Sequence, residues 1–235
     1  MEKPYRTEIW KMFDGISSTY DWVNRAMTFG IDHYWRGRLA RHLPDRPNIK
    51  LLDCATGTAD QILSLMNRSK NISEAIGIDL AKAMLEVGRK KIEKTKHASK
   101  IRLETANVLD LPFEDHSFDC VTISFGIRNV TDISLGLQEM RRVLNHGGRI
   151  LILECSLPKN PLLLKGHLFY LRMLLPLIGG LISRNKQAYI YLNKTIETFP
   201  FGDAFCALLT DAGFTHVQAY PFMGGAVTLY RGDKD

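Results

Sequence analysis

The chain has 235 residues, of which 45% are hydrophobic and 24% are charged. These totals are those of a soluble globular protein with one large domain or slightly more. The formal net charge of +6 is scattered along the chain, and the densest basic runs, residues 89–91 and 94–100, are predicted to be solvated surface. Because the sequence has no clustered basic stripe, the composition argues against an RNA-binding face.

Residues 1–44 are predicted to form helices before the main domain begins. Apolar positions recur at helical spacing on both sides of an interruption at residues 28–30. Residues 20–24 combine two aromatic rings, an acid and an amide. This stretch is either core packing with a capping Asp21 or part of a lid over a substrate pocket, because aromatic rings pack against flat ligands.

Residues 45–235 are predicted to form an α/β domain, because short apolar runs alternate with helical patterns. The predicted strands are Lys50–Cys54, Ala75–Asp79, Ile101–Ala106, Phe118–Ser124 and Arg149–Glu154, followed by a hairpin of His216–Tyr220 and Ala226–Arg231. The predicted helices are Thr58–Asn67, Ala81–Lys94, Ile133–Leu144 and Asp203–Asp211. A glycine-rich turn at residues 145–148 is predicted to separate the third of these helices from the fifth strand. This alternation predicts a doubly wound, mostly parallel sheet.

The segment Leu162–Ile182 departs from this alternation. It is strongly apolar, but its charged Lys165 and Arg172 argue against a membrane-spanning helix. Two interpretations stay open: helical cover over the edge of the sheet, within an insertion near residues 160–200, or a segment that lies at a membrane surface.

Cysteine spacing and the first residues indicate the compartment. The cysteines are far apart, without a C-x-x-C pair, at Cys54, Cys120, Cys155 and Cys206. Three of them stand in apolar, strand-like runs, so we expect buried free thiols in a reducing cytoplasm and no metal site. The first ten residues, MEKPYRTEIW, lack the apolar core of a signal peptide.

The stretch LLDCATGTAD, residues 51–60, is the motif around which the domain is organised. A strand, a turn of small residues and a helix form the first unit of a nucleotide-binding sheet. The turn has Gly57 but lacks the G-x-G-x-x-G pattern that cradles a pyrophosphate, which argues against an NAD-dependent oxidoreductase. Asp79 follows Gly57 by 22 residues, at the end of the second strand, where an acid can bind both ribose hydroxyls. Gly57 and Asp79 together favour S-adenosylmethionine as the ligand. The alternative is an ordinary turn with a solvated Asp79.

Further motifs cover nearly the whole chain. The most specific is TISFGIRNVTD, residues 122–132, and shorter ones are Tyr20-Asp21 with Asn24, Trp35-Arg36, Gly77-Ile78-Asp79 and Ala83-Met84-Leu85. On these residues the chain resembles the S-adenosylmethionine-dependent C-methyltransferases of menaquinone and ubiquinone biosynthesis. The resemblance implies a class I methyltransferase fold: a Rossmann-like, doubly wound α/β sheet, mostly parallel with a C-terminal antiparallel hairpin strand, plus an N-terminal helical lid over residues 1–44.

Two segments depart from the family pattern. The loop that usually reads Gly-Gly-Thr-Gly is Thr56-Gly57-Thr58-Ala59 here, so either its backbone avoids positive φ or the loop is reshaped. The usual Leu-Lys-Pro-Gly-Gly is replaced by LNHGG at residues 144–148, in the predicted turn.

The methyl donor that the resemblance implies is S-adenosyl-L-methionine, and its contacts are expected at the carboxyl ends of the strands. Asp79 is expected to bind the ribose, and Gly57 and Thr58 are expected to approach the methionine portion. Asp53, at the end of the first strand, has three open interpretations: it orients the loop, meets the ammonium group or caps a helix.

The resemblance also implies contacts after the third and fourth strands. Asn107 and Val108 are expected to flank the adenine, and Ser124 is expected to lie beneath the methionine.

The reaction that the resemblance implies is methylation of a ring carbon of a quinol. Such a carbon is a poor nucleophile until an adjacent phenol ionises, which costs roughly 4 kcal/mol at pH 7 for a pKa near 10. Arg128 is predicted to stabilise the phenolate and Asn129 to orient its oxygen, whereas the alternative for Arg128 is a salt bridge at a helix start. Tyr20, Asp21 and His33 are the candidate general bases.

The implied substrate is a polyprenylated quinol. Demethylmenaquinol is favoured, and the alternatives are the benzoquinol of ubiquinone biosynthesis, another small molecule or RNA; a catalytically silent regulator that binds S-adenosylmethionine is a further hypothesis. Because a polyprenyl tail is apolar, Leu162–Ile182 is expected to contact it at a membrane surface. We therefore expect a cytoplasmic protein, peripheral at the inner face of the membrane, with no nucleic-acid partner and no metal; its oligomeric state stays open.

Overall fold

The structure is a computed structural model that describes residues 8–183 and 186–235. Residues 1–7, which belong to the predicted lid, and residues 184–185, which belong to the predicted insertion, lie outside this range. Two helices, α1 (Ile9–Thr28) and α2 (Asp32–Arg38), open the described chain, and a 3₁₀ turn at Leu39–His42 follows. Phe29 ends α1 in the left-handed region at φ 51°, which confirms the interruption predicted at residues 28–30.

The α/β part begins at β1. The elements in chain order are β1 (Ile49–Cys54), α3 (Asp60–Arg68), β2 (Ile72–Asp79), α4 (Lys82–Ile92), β3 (Ile101–Thr105), β4 (Phe118–Ser124), α5 (Ile133–Val143) and β5 (Leu144–Cys155). Next come α6 (Pro161–Phe169), a π-helical turn (Tyr170–Leu174), α7 (Leu175–Ser183), α8 (Lys186–Thr198), α9 (Asp203–Asp211), β6 (Thr215–Phe222) and β7 (Val227–Lys234). All seven predicted strands are present, with ends shifted by at most five residues.

The strands form one sheet in the order β3-β2-β1-β4-β5-β7-β6. Neighbours from β3 to β5 run parallel, whereas β7 pairs antiparallel with both β5 and β6. The predicted mostly parallel sheet with an antiparallel terminal hairpin is therefore confirmed. Because the chain moves outward from β1 in one direction and from β4 in the other, the switch point of the sheet lies between these two strands.

Successive residues of the central strands enter two different hydrophobic clusters, one on each face of the sheet. Leu52 and Ile152 pack in the cluster that includes α5 and α9, and Leu51 and Leu153 pack in the cluster that includes α3 and α4. This is the side-chain alternation of a strand buried on both faces. A third, smaller cluster, made of Val23, Met27, Leu171, Leu175 and Ile196, joins α1 to the helices that follow β5.

The boundary between α5 and β5 differs from the prediction. Strand β5 begins at Leu144, directly after α5, so residues 145–148 belong to the strand and the separate turn predicted there was wrong. Leu144 pairs with Phe118, whereas Arg149 pairs with Cys120, so β5 carries extra residues in a bulge. Gly147 permits this bulge at φ 69°.

All four cysteines are free, as predicted. Cys54 and Cys120 are buried, and Cys155 and Cys206 are half-buried. Among residues 8–183 and 186–235, no group of three His, Cys, Asp or Glu side chains could hold a metal ion.

Candidate active site

The loop between β1 and α3 lies at the carboxyl edge of the sheet, beside the switch point. Ala55, Gly57 and Ala59 all have positive φ, at 49°, 55° and 65°, whereas Thr56 does not. Ala59 therefore keeps a left-handed conformation that costs a residue with a Cβ about 1–2 kcal/mol. Thr56 and Ala59 are the two residues that replace glycines of the family pattern. The backbone avoids positive φ at Thr56, which is one of the two predicted alternatives, but not at Ala59.

Asp53 holds this loop from below. Its carboxylate is buried and accepts the Thr56 hydroxyl at 2.7 Å and the Thr122 hydroxyl at 2.5 Å. Burial raises the pKa of Asp53 to about 6, against the lowering effect of these two hydrogen bonds. Of the three interpretations of Asp53, this geometry matches the orientation of the loop, and α3 begins without a side-chain cap.

Asp79 ends β2 next to the loop. One carboxylate oxygen accepts the Gly57 N–H at 2.9 Å, and the other accepts the Ala81 N–H at 2.9 Å. Burial raises the pKa of this carboxyl, and the backbone hydrogen bonds lower it. Both oxygens keep acceptor capacity, because each carboxylate oxygen can accept more than one hydrogen bond.

A cavity of about 370 Å³, here called the Asp79 cavity, opens above this edge of the sheet. Seven of the predicted site residues line it: Tyr20, Gly57, Asp79, Asn107, Val108, Ser124 and Asn129. The sequence-based prediction missed its apolar wall, which includes Trp10, Phe13 and Met84. Met84 belongs to the motif at residues 83–85, so this motif could have indicated it. Trp10 and Phe13 of α1 were interpreted only as part of a helical periodicity.

A second cavity of about 310 Å³, here called the Arg128 cavity, lies between α1, α2 and the helices after β5. Its lining is mostly apolar and includes Met27, Leu171 and Leu175 of the third cluster. Tyr20 and Phe125 line both cavities, so the two spaces meet at these rings. A narrow space of about 20 Å³, here called the annex, lies at the same junction and is lined by Tyr20, Arg36, Asp53, Ala55, Thr56, Gly57, Thr58, Asp60, Gln61 and Ser124.

Arg128 stands in a 3₁₀ turn after β4 and is paired with Glu154 of β5. The two side chains are 5% and 0% exposed, and Glu154 also accepts the backbone N–H of Cys155 at 2.8 Å. The salt bridge that was the alternative interpretation of Arg128 is therefore present. The same guanidinium also borders the Arg128 cavity, and its Nε has no hydrogen-bond partner among the described residues.

Four residues that line the Arg128 cavity carry a buried side-chain nitrogen without a hydrogen bond in the described part of the chain. Within the described ranges, each of these buried atoms lacks a hydrogen-bond partner: Trp35 Nε1, Arg36 Nε, Arg128 Nε and His167 Nε2. An unsatisfied buried polar group costs about 1–3 kcal/mol, so their gathering in one apolar cavity indicates a ligand that carries oxygen atoms. Burial also lowers the pKa of His167, which keeps its imidazole neutral at pH 7.

The three predicted general bases are separated in the structure. Tyr20 lies at the junction of the cavities, and burial raises the pKa of its phenol. Asp21 does not line either cavity: it accepts the Thr58 hydroxyl at 2.6 Å and the Lys91 ammonium at 2.9 Å. His33 is exposed, and its Nε2 accepts the Arg25 Nε–H at 3.1 Å, outside both cavities.

Lys91 was predicted as solvated surface, and for this residue the prediction was wrong. Its ammonium forms ion pairs with Asp21 of α1 and Asp60 of α3 and donates to the Thr58 hydroxyl at 3.2 Å. It thereby joins α4 to the lid helix and to the loop after β1. No local pattern marks this role, because the partners come from three separate elements.

The sheet order, the glycine-containing loop after β1 and the acid at the end of β2 define the fold of class I S-adenosylmethionine-dependent methyltransferases. The Asp79 cavity fits a nucleoside, and a Cβ at Gly57 would come within 3.4 Å of Met84 Cε, so a side chain there would narrow the cavity. Solved structures agree on the fold: a SAM-dependent methyltransferase from Thermotoga maritima superposes with a TM-score of 0.66 at 19% identity, over 96% of this chain and 99% of that one.

Fold likeness alone does not define the activity. The [4+2]-cyclase SpnF also superposes, with a TM-score of 0.64 at 11% identity, over 96% of this chain and 94% of that one. Sequence comparison is more specific, because residues 1–234 match the ubiE/COQ5 methyltransferase family. The chain belongs to this family.

Two relatives cover nearly the whole chain. The ubiquinone/menaquinone biosynthesis C-methyltransferase UbiE of Geotalea daltonii is 42% identical over 227 residues, which are 97% of this chain and 96% of the relative. The demethylmenaquinone methyltransferase of Staphylococcus carnosus is 36% identical over 233 residues, which are 99% of this chain and 95% of the relative.

Proposed function

We propose that the chain transfers a methyl group from S-adenosyl-L-methionine to a ring carbon of a polyprenylated quinol, and that demethylmenaquinol is its substrate. The names of the two relatives support this reaction. The proposal rests on three buried nitrogens that have no hydrogen bond among the described residues, Trp35 Nε1, Arg128 Nε and His167 Nε2, whose residues line an apolar cavity that meets the Asp79 cavity at Tyr20 and Phe125. A quinol has this chemistry: two oxygens on an otherwise apolar ring and tail.

The Asp79 cavity is the proposed donor site. Asp79 accepts the two ribose hydroxyls there, Asn107 and Val108 flank the adenine, and Gly57 and Ser124 approach the methionine portion. Asp53 keeps the loop in place through Thr56. When bound, S-adenosyl-L-methionine supplies a methyl group activated on a sulfonium.

The Arg128 cavity is the proposed quinol site. The Arg128 Nε–H donates to the phenol oxygen beside the reacting carbon and favours its ionised form, which removes part of the roughly 4 kcal/mol cost of ionisation at pH 7. Glu154 holds the guanidinium in place. Asn129 borders the Asp79 cavity, and its side-chain oxygen accepts the Tyr191 hydroxyl at 3.3 Å, which fixes the amide for a contact with the same phenol oxygen.

The phenol proton needs an acceptor. Tyr20 is an unsuitable one, because its raised pKa keeps it protonated. We propose His167 instead, because its imidazole is neutral and Nε2 is unpaired at the cavity. His167 Nε2 would take the phenol proton, directly or through one water, before methyl transfer. The donor would supply the methyl group and keep the electron pair of the broken carbon–sulfur bond on sulfur, and the hydrogen of the methylated ring carbon would then leave as a proton to water.

The helices after β5 are the proposed contact with the membrane. Five exposed apolar side chains form a surface here called the Leu162 face: Leu162, Leu163, Phe169, Met173 and Leu177. Pro161–Ile178 is long and apolar enough to cross a membrane by length and composition, yet only 17% of it is buried inside the protein, unlike a core helix.

The Leu162 face continues to the mouth of the Arg128 cavity. Phe29 and Met223 line that cavity and are 81% and 57% exposed, and Leu163 Cδ1 lies close to Gly224. A polyprenyl tail can therefore pass from a lipid layer to the cavity along an apolar path. With the exposed Lys165 and the net charge of +6, this face suits an anionic bilayer, and we propose a cytoplasmic protein bound peripherally at the inner face.

Turnover tests the proposed function. The purified chain is incubated with S-adenosyl-L-methionine carrying a deuterated methyl, with demethylmenaquinol or the corresponding demethylated benzoquinol in anionic vesicles. We expect the naphthoquinol to gain one labelled methyl on the ring and the Arg128→Met variant to form little product. Product from the benzoquinol alone would move the assignment to ubiquinone biosynthesis, and no product from either quinol would reject the proposal.

A further inference from the structure

We propose that Arg36 binds the α-carboxylate of the methyl donor and thereby makes donor binding depend on that carboxylate. This inference rests on the proposed donor site. Arg36 stands on α2, is 7% exposed and borders the annex. The annex holds about one water molecule, so it admits a compact terminal group and excludes a ring.

The annex continues the Asp79 cavity in the direction of the methionine portion. Gly57 and Ser124 line both spaces, and the Gly57 N–H donates to Asp79. A donor whose ribose lies at Asp79 therefore extends past Gly57 into the annex. The group that reaches this end is the amino acid terminus, which carries a carboxylate and an ammonium.

Among the charged groups that line the annex, Arg36 is a cation whose Nε has a long ion pair but no hydrogen bond to a carboxylate within the described chain. Asp60 is paired with Lys91, and Asp53 accepts two threonine hydroxyls. The ionic partner of Arg36 is Asp32, whose oxygen lies 3.9 Å from Nε, beyond hydrogen-bond distance. A carboxylate in the annex would supply the hydrogen-bond acceptor that the buried Nε lacks among the described residues.

The surroundings hold the guanidinium in place for this contact. Its carbon lies 5.2 Å from the centroid of the Phe125 ring, a cation–π distance. The Gln61 side chain donates to the backbone oxygen of Arg36 at 3.2 Å, while its own oxygen accepts the Ser124 hydroxyl at 3.0 Å. Gln61 thus ties α2 to the end of β4 across the annex.

Calorimetric binding of two ligands tests the proposal: S-adenosylhomocysteine and its decarboxylated analogue, in which the amino acid terminus is a simple amine. We expect the wild type to bind S-adenosylhomocysteine more tightly than the analogue by a factor on the order of 10 to 100, the usual effect of a charge-assisted hydrogen bond. Arg36→Met should lose this preference by weakening S-adenosylhomocysteine alone, and Arg36→Lys should keep part of it.

Arg38→Met is the matched control. Arg38 is on the same helix and its Nε is also unpaired within the described chain, but it does not line either cavity or the annex. The control should keep the full preference. The carboxylate assignment would be overturned if Arg36→Met weakened the binding of both ligands equally. It would also be overturned if the variant bound both ligands like the wild type but had a raised KM for the quinol. If the wild type binds neither ligand, the proposed donor site itself fails.

Discussion

The Arg128 guanidinium and the Glu154 carboxylate form a buried ion pair that joins the turn after β4 to the end of β5. Both charges are removed from water at the wall of the proposed quinol cavity. The pair therefore gives Arg128 two separate roles, one in stability and one toward the substrate, and substitutions can separate them.

Glu154→Gln is expected to lower the free energy of unfolding by about 3–5 kcal/mol, because it leaves the guanidinium buried without its counter-charge. Urea denaturation measures this loss. The double variant Arg128→Met/Glu154→Leu buries no charge and should recover most of the stability, but we expect its turnover to fall at least about 100-fold while S-adenosylhomocysteine affinity changes little. Wild-type turnover in the double variant would remove Arg128 from the mechanism.

Asp79→Asn is expected to weaken S-adenosylhomocysteine binding by about 2 kcal/mol or more, because two charge-assisted hydrogen bonds to the ribose are lost. Isothermal calorimetry gives the affinity. Asp110→Asn makes the same chemical change at an exposed residue outside the cavities and should bind like the wild type. Equal affinities of all three proteins would contradict the ribose assignment.

Asp53 predicts a specific pH dependence of stability. Its pKa of about 6 in the folded protein is above the unfolded value, so the folded state binds the proton more tightly. This contribution is fully present below about pH 4 and is lost as the pH rises to about 6, a fall of about 3 kcal/mol. The difference in unfolding free energy between wild type and Asp53→Asn should show this fall, and a difference that is constant with pH would contradict it.

His167→Gln is expected to lower kcat at least about tenfold without changing S-adenosylhomocysteine affinity, because the proton acceptor is lost. Wild-type turnover should persist below pH 6.5 and fall only at lower pH, since burial lowers the pKa of His167. This acid limb should be absent from the residual activity of the variant. His33→Gln, at an exposed site outside both cavities, should have a kcat within about twofold of wild type. A low kcat in His33→Gln together with a wild-type kcat in His167→Gln would identify His33 as the proton acceptor.

The double variant Leu162→Gln/Phe169→Gln is expected to bind anionic vesicles on the order of 10- to 100-fold more weakly, because it removes two apolar side chains from the Leu162 face. Vesicle co-sedimentation measures this change. Turnover of a quinol in vesicles should fall with it, whereas turnover of a short-tailed, soluble quinol should persist. Leu135→Gln, at another exposed leucine on α5, should leave vesicle binding intact, and an equal loss there would refute a specific face.

The parts that the sequence predicted well are those with a local signal. Apolar runs ending in Asp53, Asp79 and Ser124 predicted both the strands and the edge at which their last residues meet. Because ligand sites in such sheets lie at that edge, polar residues of the Asp79 cavity such as Asp79, Asn107 and Ser124 could be predicted, whereas its apolar wall could not.

The parts that the sequence did not predict depend on distant elements. Lys91 connects three separate elements through its contacts. Glu154 is buried at the end of a strand, and nothing in the residues next to it indicates that Arg128 is its partner. His167 belongs to a segment that was interpreted as cover over the sheet or as membrane contact. It lines the cavity because the third hydrophobic cluster packs this segment against α1, and that packing could not be predicted from the sequence.

A crystal structure with S-adenosylhomocysteine and a short-tailed quinol analogue bound together tests the two proposed ligand sites most directly. We expect the ribose hydroxyls at Asp79, the ring in the cavity beside Arg128 and His167, and the ring carbon facing sulfur across the junction of Tyr20 and Phe125. Adenosine bound away from Asp79, or a ring bound outside the Arg128 cavity, would contradict this expectation.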